Sequence, residues 1–184
     1  MIIEFLADGF EEIEALTPLD MLRRAGLDIV TAAIGSSGRE VTGAHGITVL
    51  ADLCEKDAAL LTDKKIDMII LPGGMPGAAN LDASETVDRF IDSAVTSGAY
   101  IASICAAPMI PGKRGLLKGR RATCFPGFEG ELIGAEYTAG RVEVDGNYIT
   151  ACGMGAALEF AVELISCLKG AETAEKLKAA VIAK

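Results

Sequence analysis

The chain has 184 residues, of which 51% are hydrophobic and 23% charged, with a formal net charge of −9. That length supports one substantial hydrophobic core and is short for two, and the composition is that of a folded rather than a disordered chain. The acidic balance argues against nucleic acid or an anionic membrane surface as partner, and no apolar run reaches the roughly 20 residues needed to cross a bilayer.

In chain order, Ile2–Ala7 opens as a short apolar strand, with no basic segment or small-residue cleavage site before it, which is the pattern of a cytoplasmic protein. A helix is predicted near 11–25, then strands at Ile29–Ile34, Met68–Leu71 and Tyr100–Ile104. All are rich in Ile, Leu and Val, as strands buried on both faces must be. Further helices are predicted near 84–97 and 155–168. A hairpin is predicted over 40–50, and another pairs 141–144 with Tyr148–Ala151 around Asp145-Gly146-Asn147. Alternating strands and helices imply right-handed crossovers around a mostly parallel sheet. No repeat, low-complexity tract or linker interrupts residues 1–184, so a single α/β domain is expected. The basic run over 113–121 (Lys113, Arg114, Lys118, Arg120 and Arg121) contains glycines and reads as a solvated loop rather than a binding patch.

In open sheets of this kind, ligands bind beyond the carboxyl ends of the strands. Four strand ends here carry special residues: 8–14 (Asp-Gly-Phe-Glu-Glu-Ile-Glu), Pro72-Gly73-Gly74, Cys105, and Cys152-Gly153-Met154-Gly155. Cys105 lies where an apolar strand is expected to run directly into a helix. Unpaired N–H groups and the positive helix end would favour thiolate there, and thiolate is the nucleophile. The alternative is that Cys105 is simply a small buried hydrophobe.

Glu14 interrupts an otherwise apolar row on the first helix, formed by Phe10, Thr17, Pro18 and Met21. A carboxyl desolvated there has a raised pKa and stays protonated near neutrality, whereas Glu11 and Glu12 in the first turn can remain wet. Pro18 lacks the N–H that would bond the carbonyl of Glu14. On its own helix, Glu14 reads equally well as a solvent-facing edge residue. Proximity to Cys105 favours burial, because an acid donating to a thiolate satisfies both groups. Gly73 and Gly74 allow close backbone approach, and with the N–H of Ala106 they could face a developing oxyanion.

Other motifs fall short. The segment 153–158 lacks the third glycine of a dinucleotide fingerprint, and Gly112-Lys113-Arg114 lacks the Ser or Thr of a phosphate loop. Five cysteines (Cys54, Cys105, Cys124, Cys152, Cys167) without Cys-x-x-Cys spacing give neither a disulfide framework nor a zinc ribbon. Cys54 and Cys167 read as core. Cys124 and Cys152 lie nearer the functional edge, where a resolving thiol is the alternative to packing.

Together these residues resemble the ThiJ/PfpI superfamily, in the branch of the parkinsonism-associated protein deglycase and its bacterial relatives. The matching segments are 6–14, 23–26, 71–74, 101–108 and 153–160. The resemblance implies a flavodoxin-like, doubly wound sandwich with a nucleophile-elbow cysteine, and a homodimer. It makes Cys105 the oxidation-prone nucleophile, Glu14 its protonated partner, and Gly74 and Ala106 the oxyanion donors. Many relatives carry a histidine where this chain has Phe125, which can neither take nor give a proton. The sole histidine, His45, lies in the 40–50 hairpin, and its alternatives are a place at the site or no functional role.

The expected function is a cysteine-dependent enzyme acting on α-oxoaldehydes or glycated adducts, glyoxalase- or deglycase-like, without cofactor or metal. The alternative from another class is an oxidation-sensing stress protein or redox-regulated chaperone. An intracellular peptidase or amidase is disfavoured by Phe125, since a leaving amine must be protonated.

Overall fold

The computed structural model describes residues 1–183. In chain order the first elements are β1 (Ile2–Ala7), α1 (Glu12–Arg24), β2 (Ile29–Ile34), β3 (Glu40–Thr42), β4 (Thr48–Leu50), α2 (Glu55–Ala59), β5 (Met68–Leu71), α3 (Gly77–Asp82) and α4 (Glu85–Ser97). The remainder are β6 (Tyr100–Ile104), α5 (Met109–Lys113), β7 (Arg121–Ala122), β8 (Glu136–Tyr137), β9 (Val142–Asp145), β10 (Tyr148–Ala151), α6 (Ala157–Lys169) and α7 (Ala171–Ala180). The four apolar runs form strands over the predicted residues, and the 40–50 hairpin forms as β3 and β4. The second hairpin is shifted by one residue on its first arm, Tyr148 facing Asp145 and Ala151 facing Val142.

Six strands form the main sheet in the order β2-β1-β5-β6-β10-β9, parallel except for β9. Counting only the parallel strands, the order is 2-1-3-4-5, the flavodoxin-like winding whose ligand crevice lies where the order reverses. That reversal sets the ends of β1 and β5 side by side, with β6 next to them. Alternate side chains serve two cores. Ile3, Phe5, Ile69, Leu71 and Ile101 face α3, α4 and α5, meeting Leu81, Phe90 and Ile110. Ile2, Met68, Ile70, Ala102 and Ile104 face α1 and α6, meeting Leu22, Phe160 and Leu164.

Local chemistry fixes the helix ends that matter for the frame. The Ser84 hydroxyl accepts from the Val87 N–H to start α4, and Gly98 closes it at φ 75°, a left-handed conformation that glycine adopts without strain. The basic run is mostly neutralised: Lys113 and Arg114 reach Asp82, Arg120 reaches Asp145 and Arg121 reaches Glu143. It ties α5 and β7 to their neighbours rather than offering a free cationic patch. Among the described residues no helix is long and apolar enough to cross a membrane.

Candidate functional site

Cys105 directly follows β6 and adopts φ 66°, a left-handed conformation that a residue with a Cβ occupies only under strain. Two backbone hydrogen bonds hold it there. Its N–H donates to the Ala151 carbonyl at 2.9 Å, and its carbonyl accepts from the Phe125 N–H at 2.8 Å. This is a strand-to-turn elbow that presents the side chain at the sheet rim, with 8% of the residue exposed. The turn continues through Pro108 before α5 begins at Met109. The expected direct entry into a helix is therefore corrected: α5 has only five residues and starts four positions late, so nearby N–H groups act on the sulfur rather than a helix dipole.

Glu14 is fully buried in the first turn of α1, and the helix runs on through Pro18. Its Oε2 accepts from the Gly73 N–H at 3.1 Å, while Oε1 is buried without a hydrogen-bond partner. The Glu11 N–H in turn donates to the Gly73 carbonyl at 3.0 Å, stitching the start of α1 to the Pro-Gly-Gly loop. Glycine is required in that loop by contact. A Cβ at Gly73 would lie 2.5 Å from Glu14 Oε2 and 2.6 Å from Cys105 Cβ. The same loop brings the Gly74 N–H to the sulfur, where it and the Ala106 N–H both act to lower the thiol pKa.

Burial pushes the Glu14 carboxyl up to about 7; the neighbouring Cys105 thiol opposes this, the charge of Glu11 adds to it, and the nearby N–H groups of Gly73 and Met154 oppose it. Burial also raises the Cys105 thiol, and the charge and proximity of the Glu14 carboxylate raise it further. The last two causes operate when Glu14 is ionised. Once Glu14 is protonated, its O–H can donate to sulfur and favours thiolate instead. Below about pH 7 both groups are therefore protonated, and above it the pair holds one proton, as thiol with carboxylate or as thiolate with carboxylic acid. This differs from the simple expectation of a thiolate set by a helix start.

The neighbouring acids also differ from expectation. Glu11 and Glu12, predicted wet, are buried. The β3–β4 hairpin folds over them, and Glu12 Oε1 accepts from the N–H of His45 at 2.8 Å. Burial pushes Glu12 up, but the His45 ring and the N–H groups of Glu12, His45 and Ile47 outweigh it and bring the carboxyl down to about 2. His45 contacts Glu12 at 2.9 Å and Glu11 at 3.6 Å, so its partners are these acids rather than Cys105 or Glu14. The three offer ligand-type atoms within 4.8 Å of one another, yet both oxygens of Glu12 are already engaged by hydrogen bonds.

Cys124 is buried and Cys152 half-buried, both lining one cavity beside Phe125. Cys54 and Cys167, expected in the core, are only half-buried, and Cys54 donates to Asp57. Sequence reasoning missed the Met154 N–H at Glu14 and the place of Phe125, whose ring lies against Gly153. The Gly-Met-Gly turn marked the region but not those contacts.

The pattern of the DJ-1/PfpI family matches residues 2–167. "Protein DJ-1 homolog B" of Arabidopsis thaliana is 36% identical over 96% of this chain; the chain spans 40% of that relative's length and 45% of its homolog A. "Glutathione-independent glyoxalase DJR-1.2" of Caenorhabditis elegans is 34% identical over 91% of this chain and 87% of its own. A "Deglycase" of Pyrococcus abyssi is 30% identical over 89% of this chain and 96% of its own. Among solved structures, oxidized DJ-1 of Toxoplasma gondii superposes with a TM-score of 0.92 at 33% identity, covering 99% of this chain and 97% of that one.

Proposed function

The chain belongs to the DJ-1/PfpI family, and from that premise we propose that it converts α-oxoaldehydes to hydroxy acids without glutathione, using Cys105 and Glu14. The observation that carries this reading is the buried Cys105–Glu14 pair meeting at Gly73 on the sheet rim, its carboxyl raised to about 7 and the N–H groups of Gly74 and Ala106 beside the sulfur. Relatives named as a glyoxalase and a deglycase support the substrate class.

The chemistry follows from that pair. The Cys105 sulfur adds to the aldehyde carbon, its proton passing to Glu14 and the carbonyl electron pair to oxygen. Gly74 and Ala106 stabilise that alkoxide, which then takes the proton back from Glu14 to give a hemithioacetal. Glu14 next removes the proton on the thioacetal carbon, the electron pair moving toward the keto oxygen, and returns it to the former keto carbon. The hydroxyl proton shifts to the neighbouring oxygen, leaving a thioester. Water attacks the thioester, the carbon–sulfur bond breaks, and the sulfur regains its proton. The sum is methylglyoxal plus water giving lactic acid.

Cys105→Ser is expected to abolish lactate formation from methylglyoxal, and Glu14→Gln to reduce it severely; unchanged turnover in either variant rules the mechanism out. A second reading, oxidation sensing, is favoured by the unpartnered Glu14 Oε1, which can hydrogen-bond oxygen added to the sulfur. Mass spectrometry after mild peroxide separates the two: selective oxygen addition at Cys105 without aldehyde turnover favours sensing. A homodimer is supported by the exposed side chains of Ile13 and Ile47, which with Leu16 and Leu158 line one groove of about 700 Å³ along α1. Ile13→Glu is expected to shift the mass in sedimentation from dimer to monomer.

A further inference from the structure

A second cavity, of about 330 Å³, opens beside the reacting pair and plays no part in the steps above. Cys124, Phe125, Tyr137, Cys152, Met154 and Gly155 line it, and no charged side chain does. Its rim is unusually apolar for a surface: Phe125 and Tyr137 are each 38% exposed and Met154 40%. Only the width of a glycine separates it from Glu14. A Cβ on Gly153, which also lines the cavity, would lie 3.1 Å from the Phe125 ring and 3.9 Å from Glu14 Oε1. Two aromatic rings with two thiols and a thioether favour a flat, polarisable apolar group. The methyl group of methylglyoxal leaves most of that volume empty.

We propose that this cavity receives the substituent of the electrophile that Cys105 attacks, and that it selects aryl over methyl; in catalytic terms, and resting on the oxoaldehyde reading, the favoured substrate is an aryl-substituted α-oxoaldehyde. Phe125 thus acts as a wall of the substituent pocket rather than as a proton carrier. The aldehyde carbon meets the sulfur, and the keto carbon carries its ring past Gly153 into the cavity.

Two measurements on the full chain test this. The first follows alkylation of the Cys105 peptide by iodoacetamide and by its N-phenyl analogue, which needs no turnover. The second compares kcat/KM for phenylglyoxal and methylglyoxal. Both ratios are expected to favour the aryl compound by about tenfold, the scale on which apolar pockets discriminate. Gly155→Leu fills the cavity from a position where an added Cβ meets nothing within 4 Å, and Cys152→Leu fills it from the end of β10. Each should cut both ratios about tenfold. If the alkylation ratio shows no aryl preference, or neither variant moves it by more than twofold, the cavity assignment is overturned whether or not oxoaldehydes turn over. An aryl preference in alkylation that the variants remove, in a protein that turns over no oxoaldehyde, supports the cavity and removes the enzymatic reading alone.

Discussion

The fold buries two carboxyl groups completely, Glu4 on β1 and Glu14 on α1, and they have different fates. Glu4, in the middle of β1, sits between Thr31 of β2 and Ile70 of β5, and neither of its oxygens has a hydrogen-bond partner. Burial raises its pKa well above the ordinary value, and the charge of Arg23 opposes this only in part. Glu14 is as deeply buried but stands at the strand ends, where the Gly73 N–H and Cys105 meet it and hold its pKa at about 7. Desolvation alone makes an acid that stays protonated. Desolvation with a few backbone donors and a thiol makes one that exchanges a proton at neutral pH, the range in which a general acid–base is most effective.

The largest test of that contrast is kinetic. Glu14→Gln keeps the shape of the side chain but cannot take a proton, so kcat/KM for methylglyoxal should fall by roughly 10²- to 10⁴-fold. Cys105 alkylation should lose its inflection near pH 7 and become about tenfold slower at neutral pH. A variant that alkylates with the wild-type pH profile would show that the two groups do not share a proton.

The next effect is thermodynamic. Glu14 binds its proton more tightly when folded, with a pKa of about 7 against an ordinary 4.5. Its contribution to stability is therefore complete below about pH 4.5 and is lost as pH rises through 7. The difference is on the order of 3 kcal/mol. Denaturant titrations at pH 5 and pH 8 should show wild-type stability falling with pH, and a visibly flatter dependence in Glu14→Gln. Gly73→Ala sharpens the same point by geometry. Its Cβ would press on both Glu14 Oε2 and Cys105 Cβ, which predicts a loss of about 2 kcal/mol together with slower alkylation.

How far the sequence reveals this frame depends on what each residue touches. Continuous Ile/Leu/Val runs mark β1, β2, β5 and β6, because strands covered on both faces need no alternation. Helices α2, α3 and α5 are too short, at five or six residues, to show a period. Helix α7 buries only Ala174 and so carries little apolar pattern. Cys105 and Glu14 are legible because each breaks the local rule of its element. Burial of Glu11 and Glu12 is not legible, since the hairpin that meets them lies more than thirty positions away, with the His45 and Ile47 N–H groups donating to Glu12 and the His45 ring near Glu11. The substituent cavity is likewise hidden: it joins the loop after β7, the strand β8 and the turn after β10, and no local spacing links them.

Glu4 gives the smallest effect and the cleanest control, because it shares the burial of Glu14 and none of its partners. An acid with both oxygens unsatisfied in the core weakens the fold, and an apolar side chain of similar volume removes that penalty. Glu4→Leu should therefore stabilise the protein by about 1–2 kcal/mol at pH 8, raising Tm by several degrees. The gain should shrink toward pH 5, because the carboxyl is raised in the folded state and its penalty grows only as pH climbs above the unfolded value. Turnover and Cys105 alkylation should stay at wild-type levels, since Glu4 lies in mid-strand rather than at the rim. Loss of activity in this variant would mean that deep burial, rather than contact with the Gly73 loop and the sulfur, is what equips an acid for chemistry here.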